Sequence, residues 1–160
     1  MLLYYIMVKV YSLYLSTLTS YGPYAPVDKS NLANVQWSIN WNSLFGISNA
    51  EKCRVKFYFN SQSSGGYDWD TDSASFRCSF SGNKNNNTNL VNIGPVNPAN
   101  DPVSGTVHRM FGNTMDWPGI EINIPKDNNI FYTQLYGMNE NIISGFIDEW
   151  ECWFVFEVDE

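Results

Sequence analysis

The chain has 160 residues, 44% of them hydrophobic and 16% aromatic, with only 16% charged and a formal net charge of −7. That length makes one domain, long enough to close a single substantial core. The acidic balance argues against a nucleic-acid binder, because phosphate contacts require clustered Lys and Arg. The one basic cluster, Lys52, Arg54 and Lys56, reads as a solvated outer face or an intersubunit salt-bridge patch.

Along the chain, apolar Met1 to Ile6 has no basic leader region and no small-residue cleavage site. The stretch that continues it is broken by Lys9 and is too short and too polar for a membrane span. A first strand is predicted over Met7 to Leu18, with Met1 to Ile6 as an N-terminal arm or an upstream start. A Gly/Pro loop follows through Gly22, Pro23 and Pro26. Val35, Trp37, Ile39 and Trp41 then alternate with polar residues, and a turn of helix at Asn42 to Ile47 would plug one end of the fold with Leu44 and Phe45. The period-two pattern recurs in Cys53, Val55, Phe57 and Phe59, and again in Ala74, Phe76, Cys78 and Phe80.

A low-complexity turn at Ser81 to Asn89 leads to short strands at Leu90 to Ile93 and Val103 to Phe111. Ile120, Ile122 and Ile124 form a strand stopped by Pro125, and Asn129 to Tyr136 adds another. In the last strand Trp150, Cys152, Phe154, Phe156 and Val158 face one way, and Glu149, Glu151, Trp153, Val155 and Glu157 the other. The fold class is therefore all-β: a single domain over residues 1–160, an antiparallel two-sheet sandwich of about eight strands, the count of a single jelly roll. Its core should hold Trp37, Ile39, Val55, Phe57, Phe76, Cys78, Ile122, Trp150, Phe154 and Phe156.

Chemistry is sparsely signalled. The three cysteines, Cys53, Cys78 and Cys152, all fall on inward faces and lack metal or redox spacing. They read as buried thiols acting as small hydrophobes in a reducing compartment, a disulfide of Cys78 with Cys152 or Cys53 being the alternative. The sequon Asn86-Asn87-Thr88 sits in an Asn-rich run where such triplets arise by chance. His108 stands alone, without a nucleophile elbow beside it. Asp68, Asp70 and Asp72 have the spacing of a Ca²⁺ loop, but Ser73 and Ser79 stand where that loop needs Gly and Glu, so they remain a weak metal candidate. No acid pair marks a glycosidase cleft, and no enzyme activity or cofactor is expected. The loop aromatics Tyr24, Tyr67, Trp69 and Trp117, with Tyr21, are the candidate interface. They would lock subunits together, stack on a glycan as in a carbohydrate-binding module, or cap the sandwich ends.

The phrases Val8 to Thr17 and Val35 to Phe45, the strand Lys52 to Phe59, the pair Ile124-Pro125 and the ending Trp150 to Glu157 carry a resemblance. The chain resembles small jelly-roll capsid proteins, of minor or decorating type, from large DNA viruses of algae and protists and their virophage-like relatives. The resemblance spans most of the chain, without Leu90 to Trp117. It implies a structural role in the virion, assembled in the host cytoplasm. The implied partners are further copies of the chain or a major capsid protein, with no direct contact to nucleic acid. It supplies no catalytic or ligand residues.

Overall fold

The computed structural model describes residues 7–18, 24–46, 49–63, 74–93, 107–112, 119–126, 128–137, 139–143 and 149–159, with backbone alone at 61–63, 92, 93 and 107–112. In chain order its elements are β1 (Val8–Ser16), β2 (Pro26–Asp28), β3 (Asn34–Ser38), α1 (Trp41–Phe45), β4 (Lys52–Ser63) and β5 (Ala74–Ser79), then β6 (Thr88–Ile93), β7 (Val107–Gly112), β8 (Ile120–Asn123), β9 (Ile130–Gly137) and β10 (Trp150–Asp159).

The strands form two antiparallel sheets. One runs β1-β10-β4, with β7 and β8 both on the far side of β4, β7 along Tyr58–Ser63 and β8 along Lys52–Val55. The other runs β2-β3-β9-β5-β6. The pairs are nested in sequence: β5 with β6, β4 with β7 and β8, β3 with β9, β1 with β10. Successive nested pairs alternate between the two sheets, as when one long hairpin is rolled up. That is the winding of a jelly roll. Ten strands appear among the described residues rather than about eight, because β2 is added and one position of the roll is shared by β7 and β8.

The alternation that defines the strands also builds the core. All ten expected core residues are buried. Aromatic rings close the gap between sheets: Phe57 meets Phe76 with centroids 4.4 Å apart, and Phe131 meets Phe154 at 5.6 Å. Side chains of this size contribute roughly 1.5–3 kcal/mol each on burial.

Two expectations need correction. The strand expected to run on to Trp41 ends at Ser38, and Trp41 opens α1 instead. The Asn40 side chain accepts a hydrogen bond from the Ser43 backbone N–H (2.9 Å), an N-cap that turns the chain here. Trp41 and Phe45 still plug the end of the sandwich, against Phe131 and Phe156, while Leu44 is half-buried. The loop after β1 contains β2, too short to show a period. Ser75 and Ser79, the polar residues that alternate with the inward ones of β5, are buried as well. Arg77 lies over the Tyr136 ring at 4.3 Å and donates to Ser75 Oγ, and the segment after β5 folds back so that Asn87 donates to the Tyr136 hydroxyl (3.1 Å).

Candidate functional site

Of the candidate interface aromatics, Tyr24 is half-buried and packs against the core. Tyr21, Tyr67, Trp69, Trp117, the Asp68, Asp70 and Asp72 loop and the arm Met1 to Ile6 lie outside the described residues. Among the described residues, no three His, Cys, Asp or Glu side chains are grouped to hold a metal ion. β7 places His108 opposite Gln62 of β4. The basic cluster is committed within the chain: Lys52 to Glu121 (2.6 Å), Arg54 to Asp159 (2.9 Å) and Lys56 to Glu157 (2.7 Å). Glu121, Glu157 and Asp159 are thereby each held in an ion pair.

The three cysteines are buried and free. Burial pushes the Cys53 thiol up to about 12 from its ordinary 9.0, and it lifts Cys78 and Cys152 well above that value too. Such thiols are poor nucleophiles and metal ligands, because the reactive form is the thiolate.

The four sheet edges differ in a way that bears on function. An unpaired edge strand is a template for another strand, and natural sheets blunt it with short strands, prolines, charges or bulges. The β2 edge has three residues, begins with Pro26 and shifts register against β3. The β6 edge shifts register against β5 between Phe76 and Arg77. The edge beyond β4 is divided between β7 and β8, and β8 carries Glu121 and leads into Pro125. The β1 edge carries one charge, Lys9, but no proline, no register shift and no shortening. Its nine residues pair with β10 in unbroken register, and among the described residues no second strand joins it. Two of its outward residues are apolar and bare: Val8 is 49% exposed and Val10 62%.

This edge continues onto the outer face of its sheet. The register aligns Tyr14 of β1, Trp153 of β10 and Tyr58 of β4 in one cross-strand row, each half-buried. The Tyr14 and Trp153 rings lie 4.9 Å apart. Tyr14 donates its hydroxyl hydrogen to Glu151, whose other oxygen accepts from Asn60 (2.9 Å). Partial burial, and then that carboxylate partner, raise the Tyr14 hydroxyl above its ordinary value, so it stays a donor. The next row holds Ser12, Val155 and Lys56. The result is an aromatic row, with Val155 beside it, running from the free edge towards the middle of the sheet and bordered by the ion pairs of Lys56 and Arg54. The sequence pattern already placed Trp153, Val155 and Tyr58 outward. Tyr14 enters the group only through the register between strands.

No protein family matches the chain, and no curated protein matches it. Among solved structures, the cryo-EM structure of Mud crab tombus-like virus at 3.3 Å resolution is similar over 100% of this chain and 84% of that one, at 10% sequence identity and a TM-score of 0.29. So low a score carries no argument about fold or function. The jelly-roll assignment rests on the strand pairing alone.

Proposed function

We propose that the protein is a structural subunit of a virion shell, of minor or decorating type, which self-associates or docks on a major capsid lattice. Jelly rolls serve capsid subunits, lectins and cupins alike, so the fold does not choose between them. The observation that carries the reading is the β1 edge: long, in regular register, free of proline and bulge, with Val8 and Val10 exposed on the outer face that also carries the Tyr14, Trp153 and Tyr58 row. A free monomeric module gains nothing from such an edge and risks aggregation by it. A shell subunit uses it as a contact. The proposal agrees with the capsid-protein resemblance of the sequence, places the protein in the virion after assembly in the host cytoplasm, and asks for no catalytic group.

The test is sedimentation velocity over a concentration series, with the wild-type chain and a Val8→Lys/Val10→Lys double variant, followed by co-sedimentation with a capsid lattice. Association of the wild type that the double variant loses supports the reading. A wild-type chain that stays monomeric throughout and binds no lattice overturns it.

A further inference from the structure

At the edge of the sandwich opposite β1, the turn between β5 and β6 faces β8 across a cleft of about 360 Å³. Ligand pockets are commonly about 300–1,000 Å³, so this one is sized for a small molecule or the end of a chain. Its floor is apolar and fixed. Phe80 is held among the rings of Trp41, Phe131, Phe154 and Phe156, and Ile122 and Ile124 are buried beside it.

The walls are polar in a particular way. Asn86 and Thr88 on one side and Asn123 on the other line the cleft, and their side chains make no hydrogen bond within the described residues. Each carboxamide therefore offers both donors and an acceptor to whatever enters. At the rim the Lys52 ammonium and Glu121 carboxylate are 2.6 Å apart and neutralise one another. The cleft thus presents no net charge to a phosphate or a cation.

The wall is also preformed. Gly82 has φ +72° and packs directly on the Asn128 carboxamide, which accepts from the Ile130 N–H (3.0 Å). Ser79 donates its hydroxyl hydrogen to the Asn83 carbonyl, and the Asn83 side chain accepts from the Asn85 N–H (3.0 Å). The turn that carries Asn86 is tied to the body at both of its ends.

From these features we propose that the cleft binds the neutral terminal sugar of a glycan. Uncommitted carboxamides on facing walls match vicinal hydroxyls, each of which gives and takes a hydrogen bond, and the apolar floor receives the C–H face of the ring. This goes beyond the shell reading and does not rest on it. It also uses none of the loop aromatics or the Asp68, Asp70 and Asp72 loop.

The test is a glycan array with the full chain in EDTA, followed by saturation-transfer NMR with the neutral monosaccharide that ends the best ligand. Asn86 and Asn123 are both exposed, so Asn86→Ala and Asn123→Ala should fold normally, which a thermal melt verifies. The expected result is binding of neutral-ended glycans that each variant weakens about tenfold or more, the effect of losing one good hydrogen-bonding group. Trp69→Ala and Trp117→Ala should bind as the wild type does. The proposal is overturned by no binding of any neutral glycan, by binding confined to sialylated or sulfated glycans, by binding that needs Ca²⁺, or by binding that survives both Asn variants.

Discussion

The indole rings of Trp37 and Trp150 meet edge to face across the two sheets, with centroids 6.1 Å apart and planes inclined at 66°. Each ring buries its N–H on a partner from its own surroundings: Trp37 donates to Thr133 Oγ1 (2.9 Å) and Trp150 to the Leu32 carbonyl (2.7 Å). The centre of the core is therefore aromatic yet free of stranded donors at this contact. Edge-to-face pairs of this kind contribute about 0.5–1.5 kcal/mol beyond the area they bury.

That arrangement predicts a specific rescue. Trp37→Phe removes the donor and leaves the Thr133 hydroxyl, fully buried, without its partner. A stranded buried polar group costs about 1–3 kcal/mol, in addition to the smaller ring. Thr133→Val in the Trp37→Phe background removes the stranded hydroxyl and should recover part of the loss. Urea unfolding of the two single variants and the double variant measures the coupling. Strictly additive losses would show that the hydrogen bond contributes nothing.

The fold was legible in the sequence because inward residues at period two are a one-dimensional signal. Trp37, Phe57, Phe76, Phe154 and Phe156 needed no partner to be recognised as core. What was not legible depends on pairing. Val103 to Phe111 and Ile120 to Ile124 read as independent strands, and nothing within either tells that both lie along β4. The burial of Ser75 and Gln134 on an outward face is equally long-range: Arg77, Tyr136 and Asn87, from separate segments, cover them. The candidate interface divides in the same way. Outward Trp153 and Tyr58 were visible as outward, but only register lines them up with Tyr14 beside a bare edge. Tyr24, chosen for its loop composition, packs against the core.

Thiol burial predicts a stability change at alkaline pH. The folded-state value of Cys53 is raised to about 12, and Cys78 and Cys152 are raised as well, while in the unfolded chain the thiols ionise near 9.0. Above that pH the unfolded state loses protons that the folded state keeps, so stability falls as pH rises. The contribution is complete below about pH 9 and is lost progressively towards pH 12, at up to about 1.4 kcal/mol per pH unit for each thiol. A Cys53→Ala/Cys78→Ala/Cys152→Ala variant should be less stable at neutral pH but show a shallower decline between pH 9 and 11. Equal slopes for the two proteins would reject the account. Reducing agent should leave the melting temperature of the wild type unchanged, since the thiols are free.

Gly46 ends α1 with φ +61° and ψ −142°, a combination close to the region that glycine alone adopts readily. A Cβ there would meet nothing within 4 Å, so any effect of Gly46→Ala comes from the backbone and not from a clash. The expected loss is about 1–3 kcal/mol. Because α1 presents Trp41 and Phe45 to the core, the loss should appear as a lower unfolding midpoint with unchanged denaturant dependence. A neutral substitution would mean that the chain leaves α1 along another path.

The β1 edge gives the prediction on which the functional reading turns most directly. Val8 and Val10 project from the same outer face as Val155 and Trp153, and Val10 lies opposite Glu157 in the register. If a neighbour covers this face, Val10→Lys places a charge in the contact and should weaken association by at least about tenfold, given roughly 1.5–3 kcal/mol for each buried aliphatic side chain. The fold should be indifferent, since Val10 is 62% exposed in the isolated chain. Val27 supplies the control. It is 59% exposed but stands on the three-residue β2, beside Pro26 and a register shift, where no strand can be added in regular register. Val27→Lys should therefore leave association unchanged. Salt separates apolar covering from ion pairing as the cause, because exposed ion pairs weaken as ionic strength rises and apolar contacts do not. Sedimentation velocity at low and high salt should show association that persists in salt, is lost in Val10→Lys and is kept in Val27→Lys. Equal loss in both variants would trace the effect to net charge, and the β1 edge would then be no interface.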